Sequence, residues 1–214
     1  MNGPIATERK DYGQDRLDRG DLPDHPTDLL ERWIDAARAA GQEEANAMAL
    51  ATVAADGTPE CRIVLLRGLD RAGLVFYSNR ASAKGRALAL HPHAAATFWW
   101  GPLERQVRVT GPVARVPDAE SDAYFESRPR ESQLSAWASP QSEEIDGPGE
   151  LEERVRAVEL RFPPGEPVPR PPFWGGYRLR PHRIEFWQGR PSRRHDRLVY
   201  AMVGAEWRIR RLAP

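Results

Sequence analysis

The sequence predicts a mainly β fold with added helices, arranged as an antiparallel barrel. Short segments rich in β-branched and aromatic residues are separated by turn pairs such as Asp56-Gly57 and Gly101-Pro102. After an opening helix, the predicted elements follow the order β-β-β-α-β-β-α-α-α-β-β-β, which is typical of an antiparallel barrel decorated with helices. A length of 214 residues suits one domain.

The first 25 residues carry few large apolar side chains and many charges, so we expect residues 1–25 to be mobile on their own. We assign residues 26–214 to a single domain. Pro26 and Thr27 begin an amphipathic helix, whose apolar residues recur at helical spacing, and Gly41 ends it.

The remaining elements follow from the change between a period of two residues and a helical period. The predicted strands cover residues 47–55, 60–67, 73–78, 95–100, 105–113, 177–186, 198–203 and 207–212. The predicted helices cover residues 82–90, 117–127, 132–138 and 150–161. The proline-rich stretch 161–172 is expected to be an extended connection.

Composition excludes several classes of function. Lys+Arg and Asp+Glu both number 31, so no net charge attracts nucleic acid or an acidic membrane. A single cysteine, Cys61, excludes an intramolecular disulfide and a multi-cysteine metal site, and we expect no metal. No apolar run approaches the ~18–20 residues that cross a bilayer. These features predict a soluble, cytoplasmic protein.

Two segments contain patterns typical of anion binding. Lys84 and Arg86 lie in the first turn of a helix that Ser82 caps, where cations oppose the helix dipole unless an anion is bound. Tyr124 and Arg128 are four residues apart on a second helix, and Ser132 follows, so their donors could grip a phosphate. The alternatives are a solvated helix start and an exposed helix end.

A second pair of patterns lies on strands. Arg62 and Arg67 would point to opposite faces of a regular strand, so they could serve one ligand only at a bulge, at a strand end or across the strand edge. Otherwise they are edge residues whose charges reach solvent. Gln106, Arg108 and Thr110 share one face of their strand, which is usually the wet face of a sheet.

The third pattern is a row of positive groups. Arg193, His195 and Arg197 point the same way in an extended segment and repel one another unless a ligand lies between them. His195 is either an acid–base group or a structural hydrogen-bonding residue. The chain contains no GxxxxGK[ST], GxGxxG, HExxH or GxSxG motif, which favours an enzyme whose reactivity resides in a bound cofactor.

Several segments resemble, in their order along the chain, the pyridoxine/pyridoxamine 5′-phosphate oxidase family. The resemblance runs from about Arg9 to Pro214. The segments are RIVLLR at 62–67, FYSN at 76–79, SAKGR at 82–86, ERQVRV at 104–109, YFESRPRESQ at 124–133, SPQS at 139–142, FWGGYRL at 173–179, IEFWQG and RRHDRL between 184 and 198, and RLAP at 211–214.

The resemblance implies a homodimeric FMN-binding split β-barrel with FMN at the subunit interface. It also implies that pyridoxine 5′-phosphate and pyridoxamine 5′-phosphate are oxidised by dioxygen to pyridoxal 5′-phosphate, with hydrogen peroxide released, and ammonia from the amine. This reaction would be the last step of vitamin B6 coenzyme synthesis.

The resemblance further implies a role for each matching residue. The FMN phosphate would be held by Arg62, Lys84, Tyr77 and Ser78. The rest of the flavin would contact Gln106, Gln141, Ser142, Trp187 and Arg197. The substrate phosphate would be gripped by Arg67, Tyr124, Arg128 and Ser132, and Arg67 would also border the cofactor. The catalytic residues over the substrate ring would be Arg193, His195 and Arg197, with Arg9 and Tyr12 in a lid that folds over the substrate.

Two positions depart from the family pattern. Arg67 replaces the usual lysine, and Ala83 replaces an arginine, so one cation to the FMN phosphate is missing. Arg80 and Arg86 are the candidates to replace it, and otherwise we expect weaker FMN retention. Two other functions stay open: a split-barrel flavin oxidase of the phenazine-biosynthesis type, and a non-catalytic protein that carries FMN or pyridoxal phosphate.

Overall fold

A computed structural model describes residues 11–13 and 15–214, and within them the chain forms five α-helices and ten β-strands. The helices are α1 (Pro26–Ala39), α2 (Ala83–Leu90), α3 (Asp118–Glu126), α4 (Arg130–Ala138) and α5 (Pro148–Arg161). The strands are β1 (Ala47–Val53), β2 (Pro59–Leu65), β3 (Gly68–Asp70), β4 (Gly73–Asn79), β5 (His93–Trp100), β6 (Arg105–Arg115), β7 (Trp174–Leu179), β8 (Arg183–Gln188), β9 (Asp196–Val203) and β10 (Glu206–Arg211).

Six of these strands curl into an antiparallel barrel that is open along one line. Antiparallel ladders join β2 to β1, β1 to β5, β5 to β6, β6 to β7 and β7 to β4. The two end strands, β2 and β4, lie in contact without a ladder between them. Close to this seam, the Arg67 amide donates to the Val75 carbonyl at 2.8 Å. The predicted antiparallel barrel is therefore confirmed, and it is a split barrel.

The longest strand, β6, belongs to two parts of the sheet. One edge pairs with β5, while the other edge pairs with β8 near its beginning and with β7 near its end. Strands β9 and β10 extend the sheet beyond β8.

The main core fills the barrel and the space beneath α1. The apolar face of α1 buries Leu30 and Trp33, and the Trp33 ring lies edge-on to Phe186 with ring centroids 5.2 Å apart. A smaller cluster attaches α3, α4 and the proline-rich connection to the start of β7. It comprises Phe125, Leu134, Phe162, Val168 and Trp174.

Residues that precede α1 pack against the barrel. Leu17 is buried in the main core, and its amide donates to the Asp196 carboxylate at 3.2 Å. The Tyr200 hydroxyl donates to the Pro23 carbonyl at 2.7 Å. Residues on both sides of the boundary predicted at residue 26 therefore contact the sheet. The expectation of mobility for residues 1–10, including Arg9, lies outside the described residues.

The prediction of one strand over residues 177–186 is wrong, because the segment forms two strands, β7 and β8. Pro181 interrupts the ladder, since proline has no backbone N–H to donate. The flanking amides of Arg180 and His182 donate to the carbonyls of Pro112 and Thr110 on β6. The sequence analysis also missed the three-residue strand β3. Most of the other predicted boundaries shift by one or two residues.

Candidate active site

A cavity of about 550 Å³ opens at the seam between β2 and β4. Four consecutive β2 residues, 62–65, line it. Because side chains alternate along a strand, consecutive lining residues mean that the strand edge faces the cavity. Among the described residues β2 pairs only with β1, so this edge offers free backbone donors and acceptors. The predicted site residues in the lining are Arg62, Arg67, Tyr77, Ser78, Lys84, Tyr124, Arg128 and Gln141.

At one end of the cavity, Lys84 is a buried cation with neutral partners. Ser82 caps α2 by accepting from the Gly85 amide, which places Lys84 in the first helical turn. The Lys84 Nζ donates to Ser78 Oγ at 3.1 Å, to Ser82 Oγ at 3.3 Å and to Gln141 Oε1 at 3.2 Å. Burial lowers the pKa of Lys84, and the charge of Arg62 lowers it further.

No carboxylate among the described residues forms an ion pair with Lys84. A buried ammonium usually requires a counter-charge, so this position fits a bound anion. The structure thus favours the anion-binding interpretation of this helix start over a solvated one.

Arg62 lies beside Lys84 and has two kinds of partner. Its Nη1 donates to Thr52 Oγ1 at 2.6 Å, and its Nη2 forms an ion pair with Glu60 at 2.7 Å. The space around these groups continues into a second cavity of about 530 Å³. That cavity is lined by Glu60, Cys61, Arg62, Ala83, Lys84, Gln141 and Ser142.

Neither candidate replacement for the missing arginine reaches these cavities. The Arg80 guanidinium pairs with Asp118 at 3.3 Å, and Arg86 donates to the Ala81 carbonyl. Ala83 itself lines the second cavity, so an arginine at that position would border the same space.

A second cationic position lies where Arg128 and Arg67 meet the same cavity. The Arg128 guanidinium lies 4.8 Å over the Trp174 ring, and its Nη1 is buried with no hydrogen-bond partner among the described residues. Burial lowers the pKa of Arg128; Tyr124 opposes this change, and the charge of Arg67 adds to it. A buried guanidinium nitrogen without an acceptor indicates a missing anionic partner.

Three aromatic rings form the wall beside Arg128. Tyr77 and Tyr124 stack with centroids 3.8 Å apart, and Trp174 lies parallel to them, 5.5 Å from Tyr77. The sequence analysis gave Trp174 no role, although it lies in the quoted FWGGYRL segment. The sequence did contain a signal for this role, because an aromatic residue stands directly before two glycines. Those glycines let the β7 backbone lie close to neighbouring side chains.

A strand end brings Arg62 and Arg67 to one cavity. β2 ends at Leu65, so Arg67 is released from the alternation of the strand. Ser132, by contrast, does not line the cavity. Ser135, one turn further along α4, and Ser139, the residue that follows α4, line it instead. The serine spacing along the helix is the signal that could have indicated these two residues.

Six other predicted residues lie together around β8, and we call them the β8 group: Tyr12, Gln106, Trp187, Arg193, His195 and Arg197. The Trp187 ring centroid lies 4.6 Å from that of His195, and Tyr12 lies 5.6 Å from both rings. Gln106 is the register partner of Trp187 on β6. Burial lowers the pKa of His195, and Arg193 lowers it further, so the imidazole is neutral near pH 7.

The prediction that Arg193, His195 and Arg197 point the same way in an extended segment is wrong. Residues Pro191–Arg193 form a 3₁₀ turn, in which Ser192 and Arg193 have φ of 55° and 59°. The charge of Arg197 is balanced by buried Glu185, whose Oε1 accepts from Arg197 Nε at 2.9 Å and Nη2 at 2.7 Å. His195 Nδ1 accepts from the Arg190 amide at 3.1 Å.

The chain therefore brings the predicted residues together in two places. The β8 group does not line the seam cavity, and strands β6 and β7 lie between β8 and the cavity strand β4.

Residues 11–13 and 15–214 contain neither a cluster of metal ligands nor a helix able to cross a membrane. No group of His, Cys, Asp or Glu side chains there is arranged to hold a metal ion. None of the helices in that part has the length and apolar composition needed to cross a membrane.

Comparison with known protein families gives two matches that together span most of the chain. Residues 34–162 match the model described as pyridoxamine 5′-phosphate oxidase. Residues 174–214 match the model described as the pyridoxine 5′-phosphate oxidase C-terminal dimerisation region, which includes β7 to β10.

Curated relatives cover the whole chain. It is 53% identical to a pyridoxine/pyridoxamine 5′-phosphate oxidase of Pseudomonas fluorescens strain Pf0-1, with 100% of both chains covered. It is 51% identical to the enzyme of the same name from Synechocystis, with 98% of both chains covered.

Two solved structures share the fold. PhzG from Burkholderia lata 383, in complex with tetrahydrophenazine-1-carboxylic acid, has a TM-score of 0.87 and 32% identity, with 94% of this chain and 98% of that chain covered. A pyridoxamine 5′-phosphate oxidase-related, FMN-binding protein from Nostoc punctiforme has a TM-score of 0.72 and 19% identity, with 90% of this chain and 100% of that chain covered.

Proposed function

The chain belongs to the pyridoxine/pyridoxamine 5′-phosphate oxidase family, and from this premise we propose that it oxidises pyridoxine 5′-phosphate and pyridoxamine 5′-phosphate to pyridoxal 5′-phosphate with FMN as cofactor. Dioxygen is the proposed electron acceptor, which yields hydrogen peroxide, and ammonia leaves when the substrate is the amine.

The presence of two cationic positions on one cavity carries this proposal. Lys84 and Arg62 lie at one of them, and Arg128 and Arg67 at the other. Each contains a buried cation that lacks an anionic partner among the described residues. FMN carries one phosphate and each substrate carries one, so the reaction requires two such positions close together.

The residues fit the cofactor. Lys84, Arg62, Ser78 and Gln141 surround the first cationic position and would hold the FMN phosphate. The free edge of β2 offers backbone hydrogen-bonding groups along the cavity, which suits the polar edge of a flavin ring. When bound, FMN accepts the hydride equivalent from the 4′ carbon of the substrate.

The second cationic position would orient the substrate. Arg67 and Arg128 would bind its phosphate, and a guanidinium matches phosphate geometry through paired donors. The stacked rings of Tyr77, Tyr124 and Trp174 form an apolar wall on this side of the cavity, which would keep water from the bound substrate. Arg67 would take the place of the family's usual lysine. Its guanidinium has more hydrogen-bond donors than a lysine ammonium, and its side chain is longer.

We further propose that two copies of the chain complete each site. The family model of residues 174–214 is named a dimerisation region, and it contains Trp187, Arg193, His195 and Arg197. A partner copy would bring its β8 group over the seam cavity. There, Trp187, Gln106 and Arg197 of that group would contact the flavin, and Arg193 and neutral His195 would lie over the substrate. Ser142, which lines the second cavity beside Lys84, would contact the flavin from the cavity side.

Tyr12 already contacts this group through Trp187 and His195. The segment around Tyr12 is therefore a proposed cover for the bound substrate, together with Arg9. In this arrangement, neutral His195 would offer its Nε2–H as a hydrogen-bond donor to the substrate, because its Nδ1 accepts from the Arg190 amide.

The phenazine-type alternative is the less favoured one. PhzG from Burkholderia lata is 32% identical to the chain, whereas the oxidase of Pseudomonas fluorescens is 53% identical over its full length. The Arg67–Arg128 position also suits a phosphorylated substrate. A non-catalytic carrier would not need the neutral His195 beside Trp187.

The experiment is an anaerobic spectrum of the protein reconstituted with FMN, recorded before and after addition of pyridoxine 5′-phosphate. We expect the flavin absorption to bleach, and then to recover with peroxide formation when air is admitted. Pyridoxine without phosphate is the matched control, since it cannot use Arg128. A bound flavin that stays oxidised with both phosphorylated substrates would overturn the proposal.

A further inference from the structure

A carboxylate occupies the rim of the proposed FMN phosphate position. The Glu60 Oε2 lies 2.7 Å from Arg62 Nη2, and Glu60 lines the second cavity together with Arg62 and Lys84. The Glu60 side chain is 37% exposed and that of Arg62 is 22% exposed, so solvent and ligand can both reach the pair.

The charges at this position conflict with its proposed ligand. Two cations and one carboxylate leave a net charge of about +1, whereas a phosphate monoester carries about −1.5 to −2 near pH 7. The phosphate and Glu60 would therefore compete for the same Arg62 donors. They would also repel each other across the shared cavity.

Arg62 does not depend on Glu60 for its position. Its Nη1 donates to Thr52 Oγ1 at 2.6 Å and approaches the Leu50 carbonyl at 3.4 Å, both on the neighbouring strand β1. These contacts would hold the guanidinium at the cavity after loss of the carboxylate. Removing the Glu60 charge should then release Nη2 for a ligand.

We propose that Glu60 is an internal competitor for Arg62 that determines how tightly the chain holds the phosphate of FMN. This inference rests on the proposed function, because it assigns the Lys84–Arg62 position to the cofactor. It names a residue that weakens cofactor binding, in contrast to the residues that form the binding site.

The test is titration of the apoprotein with FMN and with riboflavin, followed by flavin fluorescence, for wild type and Glu60→Gln. Exposed ion pairs are worth up to ~1 kcal/mol, so we expect FMN to bind about 2- to 5-fold more tightly to the variant. Riboflavin, which lacks the phosphate, should bind equally to both proteins. The gain should shrink in high salt, because ions screen the partly exposed Glu60 charge.

Two further variants test whether the effect on FMN binding comes from the Glu60 charge. Glu60→Ala should tighten FMN binding in the same direction, since it also removes the carboxylate. Glu159→Gln, an exposed change on α5 far from the cavity, should leave FMN binding unchanged.

The possible failures are distinguishable. Unchanged or weaker FMN binding by both Glu60 variants would overturn this inference alone, as would an equal gain for riboflavin. Failure of the wild-type protein to bind FMN at all would contradict the proposed function as well.

Discussion

At the residue scale, the environment of each charge decides its role. Lys84 could be assigned from the sequence, because a helix start with a lysine and small residues is a local pattern. The role of Arg197 could not, since its partner Glu185 lies on the neighbouring strand β8, two residues from Trp187, the register partner of Arg197. Local sequence shows the row of cations but not the buried carboxylate beside it.

His195 provides a prediction about protonation. Its pKa lies below the ordinary value of 6.5 because of burial and, second, because of Arg193. Arg193→Ala removes the smaller cause only, so the pKa should rise part of the way towards 6.5. A ¹H NMR titration of the imidazole signals would measure the change.

His25 is the internal control for that titration. Its pKa is also lowered by burial, but the nearby charges are those of Asp28 and Arg71. It should not respond to Arg193→Ala. A shift of His25 alone, or no shift of His195, would show that Arg193 does not act on the imidazole.

Ala83 provides a second prediction at this scale. Ala83→Arg would add a cation to the cavity already bordered by Arg62 and Lys84. We expect FMN to bind more tightly, since neither Arg80 nor Arg86 supplies this charge. Titration with FMN measures the effect, with Ala83→Gln as the uncharged control of similar length. No gain in affinity of the arginine variant for FMN would contradict this prediction.

At the element scale, periodicity indicated the types of most helices and strands but not the sheet in which each strand lies. β7 and β8 were predicted as one strand, although the polar stretch Arg180-Pro181-His182-Arg183 interrupts the apolar alternation. Their separation depends on Pro181 and on the different partners that each strand has. β3 was missed because three residues carry too little periodicity to identify a strand.

Asp196 provides one of the contacts between the residues before α1 and strand β9. Burial acts to raise the pKa of this carboxyl group, but hydrogen bonds from the Leu17 amide, Arg211 and Arg190 hold it below the ordinary value of 3.8. A depressed folded-state pKa stabilises the fold above the unfolded-state pKa. This contribution is lost as the pH falls through the folded-state value.

We therefore expect Asp196→Asn to lower the free energy of unfolding by about 1–3 kcal/mol at pH 7. The difference from wild type should shrink as the pH falls below 3.8. Urea unfolding at several pH values measures both effects. Asp24→Asn, an exposed change in the same region, is the control, and an equal loss for both variants would contradict a specific role of Asp196.

At the scale of the whole molecule, the sequence predicted the antiparallel barrel, but it could not show which two neighbouring strands lack a ladder with each other. That property depends on the closure of β2, β1, β5, β6, β7 and β4 around a common core. It determines where the cavity opens. The separation of the β8 group from that cavity also emerges only when the strands are assembled.

The proposed sharing of sites between two copies gives a complementation test. Arg128→Ala disables the cavity, and His195→Ala disables the β8 group that a partner would supply. Each variant alone should be nearly inactive. Unfolded and refolded together, the two should regain about a quarter of wild-type activity, because half of the dimers would contain one intact site of two.

A control mixture combines Arg128→Ala with Lys84→Ala, which both disable the same cavity. Both substitutions disable the cavity, and both leave the β8 group intact. An active site needs an intact cavity from one copy and an intact β8 group from the other. Neither variant has an intact cavity, so no recovery is expected. Recovery in the control, or none in the first mixture, would contradict sharing across the interface.

The position of β6 between two sets of strands has a consequence for amide hydrogen exchange. Its amides donate to β5 on one edge and to β8 or β7 on the other, so exposure of the whole strand requires the ladders on both sides to separate. They should be among the slowest amides to exchange with deuterium. Amides on the free edge of β2 should exchange early, because among the described residues no strand pairs with that edge, so exchange would begin at the seam while the centre of the barrel stays protected.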